Sequence, residues 1–173
     1  MRKVNEQAST GWPIAWCVLS IFFALIAYAT PTKLLDGPHL MPTWPLMVLF
    51  LWANMRPRFV PPFIVFFVGL AQDLLTGAPM GVWALAYLAA ISASRFRGED
   101  GMPRDLGPIW IRFLMALAIA HALAFVAGSW ANDQLADWYK LVLEFIASAL
   151  TFPLIGHLVL RRRRGSRSGF IGG

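Results

Sequence analysis

Apolar residues run in long blocks separated by short polar segments, and a helix rising about 1.5 Å per residue needs about 20 of them to cross about 30 Å of hydrocarbon. Six such blocks are present: Pro13 to Thr30, Met41 to Met55, Phe59 to Thr76, Pro79 to Ser94, Ile109 to Trp130 and Trp138 to Leu160. The second and fourth hold only enough residues for about 22–24 Å of helix, so they read as short spans or re-entrant segments. Pro13, Pro45, Pro61, Pro79 and Pro108 lie in or near expected first turns, where a missing N–H costs little. Pro153 lies inside the sixth block and predicts a kink.

The distribution of charge fixes how these blocks are threaded. With six crossings and a cytoplasmic N-terminus, the inside receives Arg2, Lys3, Arg56, Arg58, Arg95, Arg97, Arg104, Arg161, Arg162, Arg163, Arg164 and Arg167. Arg112 sits just within the inner end of the fifth span, and the outside receives only Lys33 and Lys140. Removing the second or fourth span throws part of this set to the wrong side, which the positive-inside tendency disfavours. Trp12, Trp16, Trp52 and Trp110 then fall near inner ends, and Trp44, Trp83, Trp130 and Trp138 near outer ends, as an interfacial belt requires.

The composition agrees. Of 173 residues, 58% are apolar and 14% charged, against about 45–50% and about 25% in soluble domains, which excludes an ordinary water-soluble enzyme. The expectation is one all-α integral membrane protein, a six-helix transmembrane bundle over residues 13–160, with a cytoplasmic N-terminus (1–12) and a basic cytoplasmic tail (161–173). The net charge of +6 is explained by this topology without a nucleic-acid partner. Ala27-Tyr28-Ala29 has the form of a signal-peptidase site, but the apolar run before it exceeds the 7–15 residues of a usual signal peptide, favouring an uncleaved span. Cys17 is the single cysteine and forms no internal disulfide.

Residues 56 to 87 carry the densest pattern. Gly69, Asp73 and Gly77 recur at i, i+4 and i+8 on one helix face, a small-residue packing surface with an acid on it. The short connection Gly77-Ala78-Pro79 forces the third and fourth helices into an antiparallel hairpin, and Gly81 adds another bare position. Three roles are open to Asp73: meeting the free N–H groups at the start of the fourth helix, binding a partner, or relaying protons. Depth arithmetic puts Asp73 and His121 both roughly 18–21 Å from the inner ends of their helices, with Glu144 within a turn or two of that level. A polar cluster of Asp73, His121 and Glu144 is therefore geometrically allowed, as are three separately satisfied residues. His157 lies too near the opposite end to complete a metal site with them. No HExxH, paired Cys, GxSxG or phosphate loop is present, so neither a catalytic residue, a metal nor a cofactor is expected.

Two cytoplasmic features complete the reading. The connection from Arg95 to Gly107 mixes both signs with turn residues, which reads first as a solvated loop and is also large enough to present a docking surface. Arg161, Arg162, Arg163 and Arg164 form an electrostatic anchor for anionic lipid, at about 1 kcal/mol per basic residue near the surface.

The string from Met41 to Leu88 resembles the MreD family, small membrane proteins of the bacterial rod-shape-determining system. The resemblance rests on Pro45 and Trp52 in a short second helix, the Arg56-Pro57 exit, Phe67-Val68-Gly69-Leu70, Asp73-Leu74, Gly77 and Pro79-Met80-Gly81. It implies a non-enzymatic scaffold or regulator in the cytoplasmic membrane. Its implied partners are MreC, the actin-like MreB, a class B penicillin-binding protein and a wall glycosyltransferase, with lateral peptidoglycan synthesis and cell shape as the outcome. It also implies a fold similar to the substrate-binding subunits of energy-coupling-factor transporters. Carried over residue by residue, it places Gly69, Asp73, Gly77, Pro79 and Gly81 in a hairpin shaping a partner or pocket surface. The family's motifs do not say which face meets MreC, and the expectation drawn from the residues is a single-span partner helix along the small-residue face of the third and fourth helices. Arg56 and Pro57 fall at the inner turn. The alternative is a small-molecule binding or transport subunit whose outward pocket Asp73, His121 and Glu144 line.

Overall fold

The structure, a computed structural model, describes the backbone of residues 3–30, 42–96, 106–131 and 137–168. Side chains are described for residues 14–30, 42–95, 107–131 and 137–157. The connection 97–105 and the side chains of Arg161 to Arg164, singled out above, lie outside these residues. Six helices follow in order: α1 Lys3–Ala29, α2 Trp44–Met55, α3 Pro62–Thr76, α4 Val82–Phe96, α5 Leu106–Ala131 and α6 Trp138–Ser168. The described residues contain no strand.

Several boundaries differ from the apolar blocks for local reasons. α1 begins at Lys3 and runs through Pro13 rather than starting there. α3 starts at Pro62 instead of Phe59, because Pro57–Phe59 form a 3₁₀ turn and Pro61, itself followed by proline, is held extended (φ −65°, ψ 159°). α4 starts at Val82 instead of Pro79, since Gly81 takes a positive φ of 99° and keeps the chain in a turn up to that point. The backbone helix of α6 continues past Leu160 through the arginines to Ser168. It also passes through Pro153. Pro153 has no N–H to offer the carbonyl one turn back, and the Trp110 indole on α5 donates to that Ala149 oxygen at 3.1 Å.

Each consecutive pair from α3 to α6 packs together, and α1 packs mainly on α2. α2, only 12 residues long, touches α1, α4, α5 and α6 and is buried nearly all round through Leu46, Met47, Leu49, Phe50 and Leu51. That placement explains a helix apolar on every side yet too short to cross about 30 Å. Its start is fastened deep in the bundle: the Thr43 N–H donates to Ser148 Oγ at 2.8 Å, and the Ser148 hydroxyl returns a bond to Thr43 Oγ1 at 3.3 Å. Phe50, Phe113 and Phe152 form the aromatic centre, the latter two stacked with centroids 3.9 Å apart.

The outer faces are apolar as well. Leu19, Phe22 and Phe23 on α1, Phe63 and Phe67 on α3, Val126 on α5 and Leu150 and Leu154 on α6 are all exposed. A surface of this kind is matched to hydrocarbon rather than water. α5 (Gly107–Ala131) and α6 (Trp138–His157) are long and apolar enough to span by themselves, and among the described side chains the other four helices show shorter apolar stretches, Ile14–Ala29, Trp44–Met55, Pro62–Thr76 and Val82–Arg95.

Candidate functional site

The α3–α4 hairpin is fixed by a close backbone approach at Gly69 and by one buried acid. Gly69 sits where α4 crosses α3: a Cβ there falls 2.4 Å from Ala84 Cα, 2.7 Å from Ala84 N and 2.8 Å from the Trp83 carbonyl oxygen. The glycine stripe is thus filled by α4 at this point. Of the two uses expected for this small-residue face, packing and partner binding, α4 takes the packing one at Gly69 and leaves no room there for a partner helix. Gly77 and Gly81 have a different reason to be glycine. Neither meets any atom within 4 Å of a built Cβ, but their φ values of 66° and 99° are backbone conformations that L side chains rarely adopt. Gly77 closes α3 as a left-handed C-cap, and the Gly77 and Ala78 N–H groups both return to the Asp73 carbonyl.

Asp73 holds the hairpin from inside. Its side chain is fully buried; Oδ2 accepts the Gly81 N–H at 2.9 Å and Oδ1 the Trp83 N–H at 2.8 Å. Both oxygens thus satisfy donors at the start of α4 that have no helical acceptor, where the helix dipole also favours a negative group. Pro79 lies half-buried in the turn, its carbonyl accepting the Val82 N–H at 3.3 Å.

At the opposite end, where the arginines gather, Arg56 and Pro57 are exposed and Arg56 stands over the Phe59 ring at 5.7 Å. The Arg95 guanidinium donates to the Val60 carbonyl, tying the end of α4 to the turn before α3.

The structure does not assemble Asp73, His121 and Glu144 into one hydrogen-bonded cluster. Asp73 is committed to backbone amides. His121 Nδ1 lies 3.0 Å from the Leu117 carbonyl oxygen, its ring stands edge-on between Trp83 and Phe145, and its Nε2 is buried without a partner. Glu144, 2% exposed, receives the Tyr28 hydroxyl at 3.4 Å across the α1–α6 boundary. The polar side chains that do sit deep beside them are ones the sequence reading passed over. Gln72 is fully buried and accepts the Tyr87 hydroxyl through Oε1, while its Nε2 has no partner. Their signal was available: Gln72 is a polar residue inside an apolar block next to Asp73, and polar groups within spans face the protein interior.

A pocket of about 220 Å³ opens at the hairpin end. Of the three residues expected to line a pocket together, Glu144 lines this one and Asp73 and His121 do not. Tyr28, Trp83, Asp137, Lys140 and the turn Gly77–Pro79 supply other parts of the wall.

Within the hairpin, both oxygens of its one acid are engaged by backbone amides. No curated protein and no solved structure matches the chain. A family model described as rod shape-determining protein MreD matches residues 10–162, nearly the whole chain, taking in α2 to α5 and most of α1 and α6. With six apolar-faced helices, a glycine-locked hairpin and that match, the chain belongs to the MreD family of rod shape-determining membrane proteins.

Proposed function

We propose that this protein is a non-enzymatic scaffold of the rod complex, seated in the bacterial cytoplasmic membrane by six spans with both termini inside. In this role it couples MreC and MreB to the class B penicillin-binding protein and glycosyltransferase that build lateral peptidoglycan. The observation that carries the reading is the family match over residues 10–162, which gives the chain its part in rod-shape determination. Two features support the finer statement. The buried acid of the hairpin is engaged by the Gly81 and Trp83 amides, which leaves it a structural fastening rather than a free acid or base. The charge distribution puts Lys33 and Lys140 on one side and the arginines on the other, as a six-span chain with inner termini requires. The inner arginines, Arg161 to Arg164 among them, then meet anionic lipid.

The partner surface is the outward side of the hairpin. α4 fills the Gly69 side, and Phe63, Phe67 and Leu74 of α3 point away from the bundle. The test is affinity purification of the tagged full chain from solubilised host membranes, with mass spectrometry of what co-elutes. MreC and wall-elongation enzymes are expected with the wild type, and their loss from a Phe63→Ala/Phe67→Ala variant that still inserts. An eluate without MreC overturns the scaffold reading. Unchanged MreC in the double variant overturns the placement of the surface.

A further inference from the structure

The pocket at the hairpin end carries a chemical preference that the scaffold reading does not use. Its deepest charged group is Glu144, at 2% exposure, with one hydrogen-bond partner among the described residues, the Tyr28 hydroxyl at 3.4 Å. An O–H···O bond is ordinarily about 2.5–3.0 Å, and a carboxylate has about four acceptor directions, so most of its capacity is unfilled. A buried carboxylate in that condition is costly unless a cation or several donors reach it.

The rest of the wall says which. Among the described lining residues, Asp137 and Lys140 are exposed and of opposite sign while Glu144 is buried, so acids outnumber bases by one, with Lys140 one helical turn from Glu144 and acting on it electrostatically. Tyr28 and Trp83 give it aromatic wall, and aromatic faces attract cations as well as apolar stems. Leu141 and Val82 add apolar surface to the wall. A buried carboxylate beside apolar and aromatic wall fits a group with a positive head on an aliphatic stem.

We propose that this pocket binds an alkylammonium group, the ammonium on Glu144 and the stem between Tyr28, Trp83 and Leu141. A free aliphatic amine and the lysine side chain of a partner polypeptide both present that chemistry. Binding at this site does not depend on the partner surface proposed on α3.

The full chain in lipid nanodiscs is titrated with Nα-acetyl-lysine methylamide, with its norleucine counterpart, which replaces the ammonium by a methyl group, and with n-pentylammonium. The lysine probe is expected to bind saturably and about tenfold or more tighter than the norleucine probe, as a charge-assisted bond requires. Glu144→Gln is expected to bring the two probes level. Lys140→Gln, at an exposed position where folding is not at stake, is expected to tighten the ammonium probes by removing a competing cation and to leave the norleucine probe unchanged. A higher affinity for n-pentylammonium than for the lysine probe assigns the site to a free amine, and the reverse order assigns it to a partner's lysine. Equal binding of lysine and norleucine probes, no binding of either ammonium probe, or indifference to Lys140→Gln overturns the proposal, whether or not Glu144→Gln folds.

Discussion

The Trp110 indole N–H donates to the Ala149 carbonyl at 3.1 Å, filling the acceptor that Pro153 leaves without its helical donor. A proline inside a helix costs about 3 kcal/mol or more where nothing re-satisfies the freed carbonyl, and membrane helices tolerate it when a neighbour does. Trp110→Phe is therefore expected to lower stability by about 1 kcal/mol, measured as unfolding in mixed micelles. In a Pro153→Ala background, where the substituted residue regains a backbone N–H for the Ala149 carbonyl, the same change is expected to cost close to nothing. Equal losses in both backgrounds make the bond irrelevant to the proline.

Asp73 is the second test. Removing its carboxylate leaves the Trp83 N–H buried and unpaired, at about 1–3 kcal/mol, and the part-buried Gly81 N–H without its acceptor. Asp73→Ala is expected to destabilise by several kcal/mol and to abolish complementation of rod shape. Asp73→Asn, which keeps one acceptor oxygen, is expected to fall between it and the wild type. An Asn variant as damaged as the Ala variant places the importance of Asp73 in its charge rather than in the two hydrogen bonds.

The helices were legible in the sequence because lipid-facing and core-facing positions are both apolar, so each span reads as a block. Their exact starts were less so, since Gly81 and Pro61 act through backbone angles that composition does not reveal. Within the hairpin, the i, i+4, i+8 spacing placed Gly69, Asp73 and Gly77 together and put Asp73 near the start of α4. That spacing cannot separate a glycine needed for close approach, Gly69, from one needed for its φ, Gly77. Contacts between distant segments were out of reach for a similar reason. Depth arithmetic gives a level in the membrane but not which helices touch, so Glu144 was aligned with His121 and Asp73 whereas its bonded neighbour is Tyr28 on α1.

The two glycines give opposite expectations under one substitution. Gly69→Ala puts a Cβ 2.4 Å from the Ala84 backbone, so α4 must move away, and a compensating Ala84→Gly is expected not to rescue it because the obstructing atoms are main-chain. Gly77→Ala meets open space and is expected to cost only about 1–2 kcal/mol, the penalty of a left-handed residue. Unfolding midpoints of the two single variants and the Gly69→Ala/Ala84→Gly pair check the ranking. Rescue by Ala84→Gly shows that the helices separate more easily than this crossing implies.

Gln72 and Tyr87 test whether the buried polar pair on the hairpin stabilises it or merely satisfies itself. The Tyr87 hydroxyl donates to Gln72 Oε1 while Gln72 Nε2 has no partner, so the pair already holds one uncompensated donor. Tyr87→Phe alone strands the carbonyl as well and is expected to cost about 1–3 kcal/mol. Replacing both, as Gln72→Met/Tyr87→Phe, removes every polar atom of the pair at nearly constant volume, and low-dielectric surroundings make that exchange close to neutral or favourable. The double variant is therefore expected to unfold at a higher midpoint than Tyr87→Phe and to equal or exceed the wild type. A double variant less stable than either single means that Gln72 engages more of the bundle than the Tyr87 bond, with Tyr28 the nearest place to look.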